Sequence, residues 1–307
     1  MGAERVPVLE VGGTHVSAAL IDATDWSILP DTLSRRPLDG QGSAAALIDA
    51  FLGAARTLDA GTGARWGVAM PGPFDYDQGI ALFEDVGKFD SLRGVDVRAT
   101  LCAGISPRPA SVSFLNDADA FLLGEWLHGA ATGYQRCAAV TLGTGIGSGF
   151  LADGEIVGSG PDVPPGGRAH RLYIDGRPLE DGVSRRAIRA AYRAASGDAA
   201  ADVREIAEHA RGGDPVARDV IDSAMKLLGT ALAPYLHRFG AEVVVIGGSM
   251  SASWDLFGPA FTAQLRSPIA VVVAQDPEHA PLLGAGRYAL TSSRSECVDG
   301  LSDQAIS

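Results

Sequence analysis

The first apolar segment of the chain predicts a strand, a tight turn and a second strand. The segment VPVLEVGGTHVSAALID, residues 6–22, begins with apolar residues and breaks at Gly12-Gly13. After the break, Val16, Ala18 and Leu20 recur at every second position, which favours a β-strand over a helix. A β-hairpin is therefore predicted at the start of the chain.

A second segment repeats this pattern near the middle of the chain. The stretch RCAAVTLGTGIGSGFLADGEIV predicts a strand, a glycine-rich turn at Leu142–Gly149, a second strand, an Asp-Gly turn and a short strand. Each strand–turn–strand unit is followed by a helix and a further strand. The repetition predicts two similar α/β halves with a cleft between them, and a hinge just after the strand that ends at Asn116.

The rest of the pattern predicts helices and buried strands. Residues 43–58 predict a helix with Ser43 as its N-cap. A long helix is predicted to follow residue 215, with its apolar stripe at Val216, Val220, Leu227, Ala231 and Leu236. Buried strands are predicted in ARWGVAMPGPFD, SVSFLND and AEVVVIGGSMS, a small-residue helix in APLLGAGRYAL, and a loose polar tail over residues 296–307.

Composition and charge exclude some partners. The chain has 307 residues and a formal net charge of -12, which argues against a nucleic-acid partner because such a partner needs a basic face. No apolar run is long enough to span a membrane, and no signal segment precedes the first strand.

The three cysteines, Cys102, Cys137 and Cys297, show neither metal-ligand spacing nor a disulfide framework, so a reducing cytoplasm is expected.

Three glycine turns, each placed after an apolar strand, are candidates for binding a nucleotide. They are GGT at residue 12, GTGIG at residue 143 and GG at residue 247. Glycine lets backbone N–H groups approach a phosphate because no Cβ obstructs them. Taken singly, each is as well explained as an ordinary β-turn; together they suggest two phosphate loops and one adenosine loop. Glu10 precedes the first turn and could hold a magnesium-bound water.

The segment FLNDADAF supports two interpretations. Asn116 and Asp117 stand where a strand becomes a helix, and either residue is a common helix N-cap. The alternative is that Asn116 binds a hydroxyl while Asp117 takes its proton as a general base. From this segment alone the cap is favoured. His170 and Glu180, further along, could bind a polyol, although such loop residues are more often plain surface.

Taken together, these segments resemble the motifs of the ROK family, whose members are sugar kinases and repressors. The motifs EVGGTHVSAALID, GVAMPGPFD, FLNDADAFLLGE, VTLGTGIGSGFLADGEIV, VVVIGGSM and PLLGAGRYAL follow the family's order over about residues 8–290. The resemblance implies a two-lobed α/β fold of the actin/hexokinase-like (ribonuclease H-like) type, with duplicated mixed sheets and helices. The implied lobes are residues 1–116, completed by a C-terminal helix around 282–295, and residues 117–281.

The resemblance also implies roles for individual residues. The nucleotide residues would be Gly12, Gly13 and Thr14 in the first phosphate loop, Gly143, Thr144, Gly145 and Gly147 in the second, and Gly247 and Gly248 in the adenosine loop. The sugar residues would be Gly72, Asn116, Asp117, His170 and Glu180, with Asp117 as the catalytic base.

Three departures from the family pattern change what the resemblance implies about magnesium, sugar and zinc binding. Glu10 stands where the family usually has Asp, so its carboxylate reaches one methylene further toward magnesium. The family's Gly-Glu-x-Gly-His segment reads GGRAH, so that Gly167 replaces a sugar-binding Glu. The Cys-rich zinc loop is absent, which predicts that no structural zinc is bound and that packing alone supports His170.

The function implied is an ATP- and Mg²⁺-dependent kinase that phosphorylates a hydroxyl of a hexose or hexose-like sugar, by family default the 6-OH. Glucose is the default sugar, and Gly167 favours an amino sugar such as kanosamine, or a cyclitol, as alternatives. Two other functions are a sugar-binding pseudokinase and a family regulator, although the first motif begins too early for the family's DNA-binding domain. The resemblance further implies a homodimer, while the net charge, the cysteines and the lack of a membrane-length apolar run predict a cytoplasmic protein that binds neither nucleic acid nor membrane.

Overall fold

The computed structural model describes residues 4–265, 268–292 and 296–297. The chain forms two compact units. Of the described residues, unit 1 contains those up to Ala120 together with those from Leu282 on, and unit 2 contains those of Phe121–Pro281. The sequence places the corresponding boundaries after Asn116 and before residue 282.

Unit 1 is built on a mixed sheet in the order β3-β2-β1-β5-β8, with β4 also paired to β2. β1 and β2 are antiparallel, with Val11 opposite Val16, whereas β5 is parallel to both β1 and β8. The predicted hairpin is therefore confirmed. The strands are β1 (Arg5–Val11), β2 (His15–Asp22), β3 (Ser27–Ile28), β4 (Ser34–Pro37), β5 (Arg65–Met70), the β6–β7 hairpin (Phe74–Asp75 and Ile80–Ala81) and β8 (Ser111–Asn116).

Two helices cover the apolar face of this sheet in unit 1. They are α1 (Ala44–Ala55) and α2 (Val97–Gly104), which bury Phe51 and Leu101. The oxygen of Ser43 accepts a hydrogen bond from the amide of Ala46 at 3.3 Å, which confirms the predicted N-cap of α1. The chain leaves unit 1 through α3 (Asp117–His128) and returns through α9 (Ala280–Thr291).

Unit 2 repeats the strand order of unit 1. Its sheet runs β11-β10-β9-β14-β15, with an antiparallel hairpin followed by two parallel strands. The predicted pair of similar α/β halves is thus confirmed. The strands are β9 (Arg136–Leu142), β10 (Ile146–Ala152), β11 (Glu155–Ile156), the β12–β13 hairpin (Tyr173–Ile174 and Arg177–Pro178), β14 (Val243–Gly247) and β15 (Ala270–Val273).

The helices of unit 2 include the long helix predicted after residue 215. They are α4 (Glu180–Val183), α5 (Arg185–Ser196), α6 (Val203–Arg211), α7 (Pro215–Phe239) and α8 (Trp254–Thr262). The buried stripe of α7 lies one position later than predicted in its first half, at Ala217, Ile221 and Leu228. Val216, Val220 and Leu227 are only half-buried, because they flank that stripe and contact the edge of the core.

A disulfide joins Cys102 of α2 to Cys297, which corrects the expectation that the cysteines form no bridge. Glu296 forms a β-bridge with Ser111, and the amide of Cys297 donates to the carbonyl oxygen of Ala110 at 2.9 Å. These two residues are therefore held on unit 1 instead of lying in a loose tail; residues 298–307 lie outside the described part. The disulfide could not be predicted from the sequence, because 195 positions separate the two cysteines.

The third cysteine, Cys137, is a buried free thiol, and burial raises its pKa to about 12. The observed bridge removes the cysteine argument for a reducing compartment. Among the described helices, none has the length and apolarity needed to cross a membrane.

Candidate active site

The first glycine turn, Gly12–Thr14, joins β1 to β2 in unit 1. It is closed by a hydrogen bond from the amide of Gly12 to the carbonyl oxygen of His15 at 2.8 Å. Glu10 lies near the end of β1, and its Oε2 is 3.5 Å from Nε2 of His15. The structure therefore gives Glu10 a neighbour, His15, that the sequence analysis did not single out, although it adjoins the turn.

A lysine lies beside this turn. A Cβ built on Gly13 would be 3.9 Å from Nζ of Lys88, and the following residue, Phe89, donates its amide to the carbonyl oxygen of Gly40 at 2.6 Å. A cation at this position can attract a phosphate held by the amides of the turn. Sequence reasoning missed Lys88, because it follows the turn by many residues and stands in no motif.

Asn116 ends β8 as a buried residue whose amide is held at both ends. Its Oδ1 accepts from the amide of Ala118 at 3.1 Å, and its Nδ2 donates to the hydroxyl of Tyr76 at 3.0 Å. That hydroxyl in turn donates to the carbonyl oxygen of Met70 at 3.1 Å. Gly72 lies beside the same hydroxyl, which a Cβ at residue 72 would approach to 3.3 Å.

Asp117 begins α3 with an exposed side chain, between buried neighbours on either side. Its Oδ1 also accepts from the amide of Ala118, at 2.9 Å. Because Asn116 precedes the helix and accepts from the amide of its second residue, the capping interpretation is confirmed for Asn116, whereas Asp117 is the first residue of the helix itself. It does not exclude the second interpretation, since the capping contact leaves the Asp117 carboxylate exposed to solvent.

The second glycine turn is shorter than predicted and lies against Glu180 in unit 2. β10 starts at Ile146, so the turn is Gly143–Gly145, and Gly147 belongs to the strand. A Cβ built on Gly145 would lie 3.2 Å from both carboxylate oxygens of Glu180. The structure thus brings a predicted sugar residue against a predicted phosphate turn. Only a residue without a side chain leaves that carboxylate in place.

A buried serine supports the GGRAH segment. Ser148 is fully buried on β10; its hydroxyl donates to the carbonyl oxygen of Gly167 at 2.7 Å and accepts from the amide of Ala169 at 2.7 Å. The expectation that packing alone supports His170 is therefore incomplete, because hydrogen bonds from a neighbouring strand also fix the segment. His170 itself is exposed. The φ of Gly167 is +73°, a conformation that a Glu would adopt only with strain.

The third glycine turn starts at Gly247, the last residue of β14; Gly247 packs against Phe121 and Gly248 against Leu142, both of the same unit. The amide of Met250 donates to the carbonyl oxygen of Leu142 at 3.1 Å, which fixes the loop beside the end of β9. A cavity of about 550 Å³ opens here, lined in part by Ser249, Met250, Ala252 and Ser253. Its size suits the adenosine part of a nucleotide.

The described residues contain no group of three or more His, Cys, Asp or Glu side chains arranged to hold a metal. A single carboxylate is sufficient for Mg²⁺, which keeps several waters and binds with the phosphates of a substrate. Glu10 fits that requirement, since its side chain is a partly exposed carboxylate at the end of β1.

Comparison with known proteins gives the family. A model of the ROK family matches residues 7–162 and 175–291, which is most of the chain. The chain belongs to the ROK family. The actin/hexokinase-like α/β fold expected from the sequence is confirmed by solved ROK structures.

One curated relative and two solved structures illustrate the similarity. A glucokinase of Thermotoga maritima is 32% identical over 216 residues, covering 63% of this chain and 66% of the relative. The ROK hexokinase of Thermus thermophilus has 27% identity and a TM-score of 0.75, covering 92% of this chain and 96% of the other. A ROK glucokinase of Streptomyces griseus, solved with glucose and AMPPNP, has 23% identity and a TM-score of 0.73, covering 94% and 100%. The first two curated relatives are matched over 66% and 51% of their length.

Proposed function

We propose that this ROK protein is an ATP-dependent sugar kinase that transfers the γ-phosphoryl group to a hydroxyl, the 6-OH, of a hexose or hexose-like sugar. The observation that carries the proposal is the pair at the start of α3. Asn116 is buried with its amide orientation fixed, while the adjoining Asp117 carboxylate is exposed. The similar glucokinase and hexokinase support the same reaction class.

In this proposal the acceptor hydroxyl is bound in unit 1. Asn116 hydrogen-bonds the sugar, and the backbone at Gly72 lies against it. Asp117 takes the hydroxyl proton as the oxygen begins to bond to phosphorus. A carboxylate is basic enough for this step, because the alcohol loses its proton only as the new bond forms.

The amides of the two glycine turns are proposed to bind donor phosphates, each turn within its own unit. In unit 1 these are Gly12, Gly13 and Thr14, with Lys88 adding positive charge. In unit 2 they are Gly143, Thr144 and Gly145, whereas Gly147 supports the turn from the strand. Mg²⁺, when bound, would neutralise charge on the donor phosphates, and Glu10 would hold it through a water.

The remaining predicted residues are proposed to bind adenosine and the sugar. Gly247 and Gly248 would border adenosine in the 550 Å³ cavity. Glu180 and His170 would hydrogen-bond sugar hydroxyls. Gly167 supplies no carboxylate, so the proposed site offers the sugar one hydrogen-bond acceptor fewer than the family pattern does. We therefore propose amino sugars such as kanosamine as substrates alongside glucose, the family default. The homodimer implied by the resemblance is retained as part of the proposal.

The test is a coupled ATP-consumption assay over hexoses, amino sugars and cyclitols, with wild type and Asp117→Asn. We expect turnover on at least one sugar, and a loss of about 10²–10⁴-fold in kcat in the variant with sugar binding retained. Asp59→Asn, at an exposed aspartate after α1, is the matched control. Near-normal turnover in Asp117→Asn would contradict the role of the base. Sugar binding without turnover across the whole panel would favour a pseudokinase.

A further inference from the structure

An arginine of α2 holds three backbone carbonyl oxygens of unit 1. Arg98 is half-buried, and its Nη1 donates to the carbonyl oxygen of Asp77 at 2.7 Å. Its Nη2 donates to the carbonyl oxygen of Tyr76 at 3.1 Å, and its Nε to that of Val112 at 3.0 Å. The donors of a guanidinium lie in one rigid plane, so a single side chain fixes the positions of these three acceptors relative to one another.

The three acceptors belong to two different elements. Tyr76 and Asp77 lie in the turn of the β6–β7 hairpin, whereas Val112 lies in β8. The turn approaches α2 closely, because a Cβ built on Gly79 would be only 2.5 Å from the Cβ of Arg98. Arg98 therefore joins the hairpin to β8.

This link bears on the side-chain amide of Asn116. The hydroxyl of Tyr76 accepts from Nδ2 of Asn116 at 3.0 Å and donates to the carbonyl oxygen of Met70 at 3.1 Å. Val112 precedes Asn116 by four residues on the same strand. The guanidinium of Arg98 thus holds the backbone of one hydrogen-bond partner and the strand that carries the other.

The hairpin needs support from outside itself. Each of its strands has two residues, and a pair of strands this short does not hold its turn alone. α2 supplies two contacts to the hairpin. One is the hydrogen bond from Arg98 to Tyr76, and the other is a β-bridge between Ile80 and Asp96, the N-cap of the helix. Of these two contacts, the one from Arg98 reaches the residue whose hydroxyl meets the amide.

The guanidinium is partly removed from water. Burial lowers the pKa of Arg98, and the nearby carboxylates of Asp96, Asp77 and Asp75 oppose that change. A charged group in such a place needs hydrogen-bond acceptors, and hydrogen bonds from a charged donor are stronger than those between neutral groups. The three carbonyl contacts therefore hold the hairpin more firmly than apolar packing would.

We propose that Arg98 is a positioning residue of the sugar site, which fixes the orientation of the Asn116 side-chain amide through Tyr76. Removing the guanidinium would release the backbone of Tyr76, so that its hydroxyl would no longer meet Nδ2 of Asn116 in one fixed position. The consequence for sugar binding rests on the proposed kinase function, whereas the effect on the amide does not.

The effect on the amide can be measured directly, because Asn116 is the only asparagine in the chain. Cell-free synthesis with asparagine labelled by ¹⁵N in its side-chain amide therefore gives a single pair of N–H signals in an NMR spectrum. Arg98→Lys keeps the charge but cannot hold three carbonyl oxygens in one plane. We expect this variant to shift the pair toward its position in Tyr76→Phe and to speed hydrogen exchange about tenfold. A pair that stays as in wild type would overturn the proposal.

Gly79→Ala provides a second variant, since its Cβ would push the turn away from Arg98 while the guanidinium stays intact. It keeps the test decisive if Arg98→Lys folds poorly: the Asn116 pair should move in the same direction, and an unchanged pair would contradict the link. The matched control is Arg93→Lys, at an exposed arginine that pairs with Glu84 at 2.6 Å, and it should leave the pair as in wild type. An equal shift in the control would mean that the signals report only the loss of an arginine, which would also overturn the proposal.

Kinetics then tests the role in sugar binding. With the sugar identified in the panel, Arg98→Lys should raise the sugar KM about tenfold and leave kcat and the KM for ATP nearly unchanged. Adding it to Tyr76→Phe should change the sugar KM little further, because both substitutions act on one hydrogen bond. Additive effects, or a fall in kcat alone, would overturn the role in sugar binding. Absence of product in wild type would overturn the proposed function, and the Asn116 signals would then decide the inference by themselves.

Discussion

The side-chain amide of Asn116 donates from Nδ2 to the hydroxyl of Tyr76 at 3.0 Å. Because the Oδ1 of Asn116 accepts from the amide of Ala118, the two contacts fix which end of the amide faces each neighbour. Tyr76 is therefore a positioning residue in the proposed sugar site. Tyr76→Phe should raise the KM for the sugar about tenfold, equivalent to about 1.4 kcal/mol, and leave kcat nearly unchanged.

Steady-state kinetics in the identified sugar checks this split. Tyr173→Phe is the control, since Tyr173 is a tyrosine with 66% of its surface exposed. A fall in kcat that matches the rise in KM would show that Tyr76 supports the chemical step instead of sugar binding.

Gly145→Ala should disturb the Glu180 carboxylate. The added Cβ would lie 3.2 Å from both oxygens, so the carboxylate must move by a few tenths of an ångström. We expect the sugar KM to rise about tenfold in this variant. If the effect acts through Glu180, the same substitution in a Glu180→Ala background should change KM little further. A double-mutant cycle measures this coupling.

The control for that cycle is Gly158→Ala, where a Cβ would meet only the carbonyl oxygen of Gly166 at 3.9 Å. Additive effects of the Gly145 and Glu180 substitutions would contradict the proposed dependence.

Ser148→Ala should lower the free energy of unfolding by about 1–3 kcal/mol, because it leaves a buried carbonyl oxygen and a buried amide without the hydroxyl that bridges them. The same change should raise the sugar KM, since the segment that carries His170 loses its support from β10. Denaturant unfolding and sugar kinetics check both effects. Ser27→Ala, at an exposed serine bonded to Asp25, should change neither. Unchanged unfolding in Ser148→Ala would show that this bracing is dispensable.

Cys297→Ser should lower the free energy of unfolding of unit 1 by about 2–4 kcal/mol under non-reducing conditions, because the bridge restricts the unfolded chain. Wild type with a reductant should unfold as the variant does. Adding the reductant to the variant serves as the control and should cause no further change. Equal stability of wild type and variant without reductant would contradict the bridge.

Much of the fold could be predicted because its signals are local. The alternation after Gly12-Gly13 and its repetition after Gly143 gave both hairpins and the duplication, since neighbouring strands in the chain pair with each other. The N-cap at Ser43 could also be predicted, because its hydrogen bond to the amide of Ala46 lies within one helical turn. The predicted extent of the second glycine turn was too long, because Gly147 and Gly149 occur inside a strand without interrupting it.

The candidate site was less predictable because its contacts cross long stretches of the chain. The Tyr76 hydroxyl meets Asn116 across 40 positions, and Cys102 meets Cys297 across 195. Neither pair leaves a periodic signal. The sequence shows Ser148 only as part of a glycine-rich loop. In the structure its hydroxyl is buried and donates to the carbonyl oxygen of Gly167. The proposed role of Asp117 as a base rests on the family resemblance, while the local pattern favours the cap that the structure also contains.

The bridge between Cys102 and Cys297 changes what a break in the backbone would do. Every residue of unit 2 lies between the two bridged positions, so a protease that cuts one peptide bond there produces two fragments that remain covalently joined. The nicked protein would migrate as a single species on a non-reducing gel and separate only after reduction. A cleavage map made without a reductant would therefore overlook cuts anywhere in unit 2.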